Sequence, residues 1–129
     1  MFKKYKNFIP IDYVALLVLS VVYALTHLFG LLELPVFADE AIYIRWAQLF
    51  IDEPARYAFF SMNDGKTPLF FWLLAPFQFL FANQLFAARF VGVLIGFVQM
   101  LVLIKTTALF TKNKVTIYLS GLLVAILPF

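Results

Sequence analysis

The chain has 129 residues, 64% of them apolar and only 13% charged, with a mean hydropathy of +0.95. Soluble domains lie nearer half apolar and a quarter charged, so this composition predicts a bilayer as the solvent. The net charge of +3 comes with no basic face interleaved with stacking aromatics, which argues against nucleic acid; the lack of cysteine excludes disulfides, thiolate metal sites and a cysteine nucleophile.

Lys3, Lys4 and Lys6 precede a first apolar run, residues 13–32, that contains no charged side chain. As a helix this run reaches about 30 Å, the thickness of the hydrocarbon core. A basic start before an apolar run also fits a signal peptide. The length of the run and the lack of a following A-x-A site favour an uncleaved span. His27 lies alone inside it and reads as a buried, hydrogen-bonded histidine rather than a functional one.

Residues 33–66 form a loop too long for a hairpin and too apolar for a solvated linker. Long loops on a rigid scaffold tend to be functional or disordered. Ile42, Tyr43, Trp46, Leu49 and Phe50 recur at helical spacing, with Arg45 and Gln48 off the stripe. This predicts a helix lying in the membrane interface, with Trp46 and Tyr43 at headgroup level. The alternative is a helix packed on the other spans. Either arrangement holds the acidic pair Asp39-Glu40 near the membrane surface.

Asp39 is placed to cap that helix and Glu40 to sit in its first turn, where the dipole favours an acid. Capping alone would account for the pair. Adjacent helical residues point roughly 100° apart, so the two carboxylates are not expected to share one proton. One can face a substrate while the other caps or positions.

Asp64-Gly65-Lys66-Thr67-Pro68 opens the second apolar run. Pro68 suits the first helical position with Thr67 as its cap, and Asp64-Gly65 supplies a turn that aims Lys66. A lysine beside the positive end of a helix makes an anion site; an ordinary juxtamembrane lysine is the plainer reading. The loop is bounded by two spans, so the carboxylates and Lys66 face the same side of the membrane. A carboxylate base and a phosphate-binding cation on one surface suit transfer from a lipid phosphate.

Span two is expected at about 67–84, with Pro76 inside it as a kink. Span three is expected at about 88–110, interrupted only by Lys105, which can snorkel to an interface. Arg89 at its start reads as an interface anchor, and Arg56 as a helper of Lys66 or a partner of Asp52 or Glu53. The fourth run, 115–129, is apolar but stops at Leu127-Pro128-Phe129 with no polar anchor. It reads as a span cut short, which would make the chain the N-terminal part of a larger protein; a short interfacial helix is the alternative. The N-terminal lysines favour a cytoplasmic start. The loop, with six acids against three bases, then faces outside. Lys112 and Lys114 run against that bias.

Ala38-Asp39-Glu40-Ala41-Ile42-Tyr43 resembles the D-E-x-x-Y segment of multi-pass glycosyltransferases. Asp64-Gly65-Lys66-Thr67-Pro68-Leu69-Phe70-Phe71-Trp72-Leu73 resembles their K-P-P-L-Y-Y-W-L segment. Ala88-Arg89-Phe90 followed by Gly96 resembles their A-R-L…G third span. The chain thus resembles, over nearly all its length, the protein O-mannosyltransferases and lipid A aminoarabinose transferases of the GT-C fold. Thr67 replaces the first proline of the usual pair, which bears on local loop shape more than on chemistry.

The resemblance implies that residues 1–129 are the N-terminal part of a single all-α, multi-pass transmembrane domain, with an interfacial amphipathic helix in an external loop. It implies inverting sugar transfer from a polyprenyl-phosphate donor to a lipid, glycan or protein acceptor at the outer face of a prokaryotic inner membrane. Asp39 would be the base, Glu40 would help position substrate, Lys66 would hold the donor phosphate and Tyr43 would line the site. No cofactor is implied; the chemistry tolerates a divalent metal but the sequence does not indicate one. A competing reading is a small four-span binding or flippase-like protein acting with lipid-linked sugars. A third is a structural membrane subunit in which the carboxylates only cap.

Overall fold

The computed structural model describes residues 12–127; Lys3, Lys4, Lys6 and the terminal Pro128-Phe129 lie outside them. The chain is all-α, with no strand among the described residues. Its helices are α1 (Tyr13–Leu28), α2 (Ala38–Asp52), α3 (Pro54–Tyr57), a 3-10 turn (Phe60–Asp64), α4 (Leu69–Leu80), α5 (Gln84–Phe110) and α6 (Lys114–Ile126). They divide into two compact units. One joins the described residues up to Phe29 with those from Val93 onward; the other is Gly30–Gly92.

The first unit is α1, the larger part of α5, and α6. Asp12 caps α1, its Oδ1 accepting from the Val14 N–H at 3.0 Å, while its own N–H donates to the Tyr118 hydroxyl at 2.6 Å. Asn113 caps α6 in the same way through Val115. The buried residues recur every fourth position: Leu19, Tyr23 and His27 on α1, Met100 and Ile104 on α5, Ile117, Gly121 and Ala125 on α6. That spacing makes one straight ridge per helix. Gly121 lets the ridges approach: a Cβ there would lie 2.7 Å from Ile104 Cγ1 and 3.2 Å from Leu19 Cδ1.

Polar groups in this unit are satisfied within it. The Tyr23 hydroxyl donates to the Val93 carbonyl at 2.7 Å, and the Thr26 hydroxyl to the Ala125 carbonyl at 2.6 Å. His27 is buried, stacked on Tyr23 at 4.1 Å, with Nδ1 3.1 Å from the Tyr23 carbonyl and Nε2 3.2 Å from that of Leu127. It is therefore a packed histidine, tied to backbone.

The second unit is built on α2 and α4. Trp46, Ala47, Phe71, Leu74, Ala75, Ala88 and Val91 form its core. Tyr43 meets Phe70 edge to face at 5.1 Å, and Phe50 meets Phe71 at 5.8 Å. The aromatic stripe of α2 thus turns onto α4, where Trp46 is only 6% exposed. The stripe packs on a neighbouring helix, because α4 offers it an apolar face. Ile42, at the edge of the stripe, stays 36% exposed.

Helix ends differ from those expected, each for a local reason. α1 stops at Leu28, short of the end of its apolar run, and Gly30 adopts a left-handed φ of +70°. α4 has 12 residues, running through Pro76 and ending before Phe81. α5 begins at Gln84 because Asn83 caps it, accepting from the Phe86 N–H at 3.0 Å. With 27 residues and an 18-residue stretch of mean hydropathy 2.2, α5 is long and apolar enough to cross a membrane. α1, α4 and α6 are shorter apolar helices.

Two of the helical glycines, Gly121 and Gly92, give a paired test. Gly121→Val should destabilise by about 1–3 kcal/mol through overpacking against Ile104. A Cβ added at Gly92 would meet nothing within 4 Å. That position should accept alanine and gain up to about 1 kcal/mol of helix propensity. Thermal melts followed by circular dichroism check both; equal melting temperatures for the two variants would refute the ridge packing.

Candidate functional site

The first helical residue of α2 is Ala38, and Phe37 occupies the cap position. This corrects the expectation that Asp39 caps the helix. Asp39 is the second helical residue and Glu40 the third. Glu40 takes the capping part instead, its Oε2 accepting from the Phe37 N–H at 3.0 Å. Phenylalanine has no side-chain acceptor, so only the glutamate half of a capping box exists here.

Asp39 is thereby released to another partner. Its Oδ1 lies 2.6 Å from Lys66 Nζ. The ammonium also sits 5.4 Å from the Tyr43 ring and 5.8 Å from that of Trp46. Both rings are within cation–π range. The Asp39 side chain is 75% exposed and that of Lys66 31%, so the pair is open to an incoming molecule.

The backbone around Lys66 is fixed from beneath. The 3-10 turn ends at Gly65, whose φ of +69° is the left-handed conformation that favours glycine. Fully buried Ser61 then locks the next residue: its hydroxyl donates to the Lys66 carbonyl at 2.9 Å, and its carbonyl accepts from the Lys66 N–H at 3.1 Å. The Trp72 indole N–H donates to the Ala58 carbonyl at 2.8 Å, tying this loop to α4. The hydrogen bond to Asp39 raises the Lys66 pKa above its ordinary value, so the ammonium persists across the physiological range.

Glu40 points elsewhere. Arg89 Nε donates to its Oε1 at 2.8 Å, and Arg89 Nη2 to its Oε2 at 2.8 Å. The same guanidinium donates to the carbonyls of Leu31 at 2.7 Å and of Leu34 and Pro35 at 3.0 Å each. A guanidinium has five N–H donors. All five are used, and the side chain is only 9% exposed. These hydrogen bonds, joined by the one from Phe37 and the charge of Arg89, hold the Glu40 carboxyl below its usual range despite partial burial.

Sequence reading therefore brought together three of the residues that meet, Asp39, Tyr43 and Lys66. It missed Trp46 as a wall of the lysine site and read Arg89 as an interface anchor. The signal for Arg89 was available: an arginine at the head of an apolar run demands a partner. Arg56 pairs with Glu53 at 3.5 Å and lies over the Tyr57 ring, and it takes no part in the Lys66 cluster. No group of three or more metal-ligating side chains occurs among the described residues. Asp39 and Glu40 each already face a cationic side chain.

An apolar groove of about 430 Å³ lies further along the same helices, lined by Phe50, Ile51, Pro54, Trp72, Ala75, Pro76 and Phe79. It contains no titratable group and lies toward the C-terminal end of α2, away from Asp39. No family model, curated protein or solved structure matches this chain.

Arg89→Ala should cost about 2–4 kcal/mol, less than the cost of opening a fully buried pair because Glu40 keeps some exposure. Acid should act through the same contact. A carboxyl with a lowered folded pKa contributes stability above its ordinary value of 4.5, and loses it as pH falls through the lower folded value. Melting temperature measured from pH 7 downward should therefore fall more steeply below pH 4.5 for wild type than for Glu40→Gln. Parallel curves would show that the pair stabilises nothing.

Proposed function

We propose that this chain is a membrane glycosyltransferase of the GT-C kind, similar to protein O-mannosyltransferases and lipid A aminoarabinose transferases. It takes a sugar from a polyprenyl-phosphate donor to an acceptor at the outer face of a prokaryotic inner membrane. The observation that carries this reading is the 2.6 Å contact between Asp39 and Lys66, which come from opposite ends of the loop. A base and an anion-binding cation side by side are what such a transfer needs. The apolar composition and α5 support the membrane setting. Only 39% of the most apolar stretch of α5 is buried, where the core helix of a soluble protein would be mostly covered.

In this reading the acceptor hydroxyl attacks the anomeric carbon from the face opposite the phosphate. Its proton passes to the Asp39 carboxylate. The new bond forms from acceptor oxygen to anomeric carbon. The bond from that carbon to the phosphate oxygen breaks, and its electron pair stays on the lipid phosphate. Lys66 stabilises the charge that develops there. A phosphate leaving group requires no strong general acid. Attack opposite the leaving group inverts the anomeric configuration. Tyr43 and Trp46 wall the ammonium, and Glu40 positions the site through Arg89. α1, α4 and α6 complete a multi-pass bundle with α5, in which the N-terminus is cytoplasmic and the 33–66 loop external.

The decisive assay is release of polyprenyl monophosphate from a panel of polyprenyl-phosphate sugars by membranes containing the protein. Asp39→Asn should lower turnover by about 10²–10⁴-fold, the usual cost of losing a general base. Its melting temperature should hardly move, because the side chain is exposed and caps nothing. Lys66→Ala should raise the donor KM, and Lys66→Arg should be milder. Wild-type-like release by Asp39→Asn, or no release with any donor, would refute the reading. Orientation has its own test, since the chain has no cysteine. Exposed Asn63→Cys should react with an impermeant maleimide in intact cells; reaction only after lysis would reverse the topology.

A further inference from the structure

The two groups assigned to the chemistry neutralise each other in the resting chain. A carboxylate oxygen 2.6 Å from an ammonium is occupied by that ammonium's proton. While the contact lasts, Oδ1 competes for protons with the ammonium it already holds, and Oδ2 alone is left unengaged. The same contact shields the charge that a donor phosphate would seek. Resting geometry and working geometry therefore differ at this one bond.

We propose that Lys66 exchanges partners: the donor's phosphate takes the ammonium from Asp39, and the freed carboxylate becomes the base. The inference rests on the functional reading above and adds to it an order of events, donor before deprotonation. Several features make the exchange local. Lysine is a point charge on a flexible stem, so Nζ can swing while its backbone stays locked by Ser61. The Tyr43 and Trp46 rings flank Nζ and favour a cation in either position. The donor's phosphodiester carries one full negative charge, as Asp39 does, and the charge on the phosphate grows as the sugar leaves; Asp64 adds a negative field that keeps Lys66 charged throughout. The neighbouring acid does not follow, because Glu40 is held by both of its oxygens on Arg89. Arg89 is fully used in turn and has no donor to offer Asp39.

The consequence is protective. An enzyme with no donor bound holds its base paired through Oδ1 with Lys66, so an acceptor alone meets a carboxylate that is already partnered. Binding of the donor supplies both the leaving group and the unmasking.

The exchange makes an unusual prediction, that removing the proposed base strengthens phosphate binding. The probes are polyprenyl monophosphate in phosphatidylcholine nanodiscs and inorganic phosphate, each titrated against wild type, Asp39→Asn, Asp39→Ser and Lys66→Ala. Melting temperatures confirm folding of each variant. Both Asp39 variants should bind polyprenyl monophosphate about two- to fivefold more tightly than wild type, the gain expected when an exposed ion pair no longer competes. The gain should vanish in the double variant Asp39→Asn/Lys66→Ala. The same pattern with inorganic phosphate supports recognition of the headgroup itself; a gain with inorganic phosphate alone overturns the lipid as the occupant. If wild type binds but both Asp39 variants bind equally or more weakly, the exchange is wrong and the functional reading stands. If wild type binds neither probe, the functional reading falls with it.

Discussion

The site depends on one guanidinium. Arg89 lies on α5 and gathers the carbonyls of Leu31, Leu34 and Pro35 together with both oxygens of Glu40. The segment before α2 contains Pro35 and has no regular hydrogen bonding of its own beyond the Glu33 N–H to Gly30. Backbone carbonyls outside regular structure take their hydrogen bonds from side chains or water. A single side chain satisfies three of them. It thereby fixes where the chain enters α2, and so where the first turn of α2 presents its acids.

That placement separates two adjacent carboxylates by function. Successive helical residues diverge by about 100°. Once Glu40 is turned toward Arg89, Asp39 must face away from it, toward the end of the loop where Lys66 stands. The capping duty that an acid at this position would ordinarily perform falls to Glu40, through the Phe37 N–H. The exposed carboxylate is left with no structural task except its contact to Lys66. A pair that looks redundant in the sequence is thus divided into a half-buried anchor and an exposed carboxylate paired with Lys66.

Much of this is legible in the sequence itself. Helical periodicity places an aromatic stripe on 42–50, and Gly65 before Lys66 announces the turn that the left-handed φ confirms. The two apolar runs bounding the loop place Asp39 and Lys66 near its two ends, and the fold brings those ends together. The helix ends are less legible, because they turn on single caps. Asn83 moves the start of α5 four residues earlier than the apolar pattern suggests, and Gly30 cuts α1 short of its run. Asp39 reads as a cap because local preference ranks aspartate above phenylalanine there; contacts from a residue 49 positions away outweigh that preference. The place of Arg89 at the head of an apolar run demands a partner, but local sequence does not identify Glu40 as that partner. Trp46 is hidden differently: its place in the stripe fixes its face but not whether lipid or α4 covers it.

Arg89 and Lys66 illustrate why lysine and arginine are not interchangeable. Arg89 makes a two-pronged contact with Glu40 and uses its remaining donors on carbonyls, an arrangement that a planar fork fits and that breaks only by losing several hydrogen bonds at once. It suits a joint that must not move. Lys66 makes one short contact to one oxygen of an exposed carboxylate, with aromatic faces around it rather than fixed acceptors. A compact ammonium on four methylenes can leave such a contact by rotating a few side-chain bonds, while Ser61 keeps its backbone in place. Were the two residues exchanged, an arginine at 66 would grip Asp39 by both oxygens and a lysine at 89 would leave two or more carbonyls unpaired. The fixed cation and the movable one therefore stand where their geometries require.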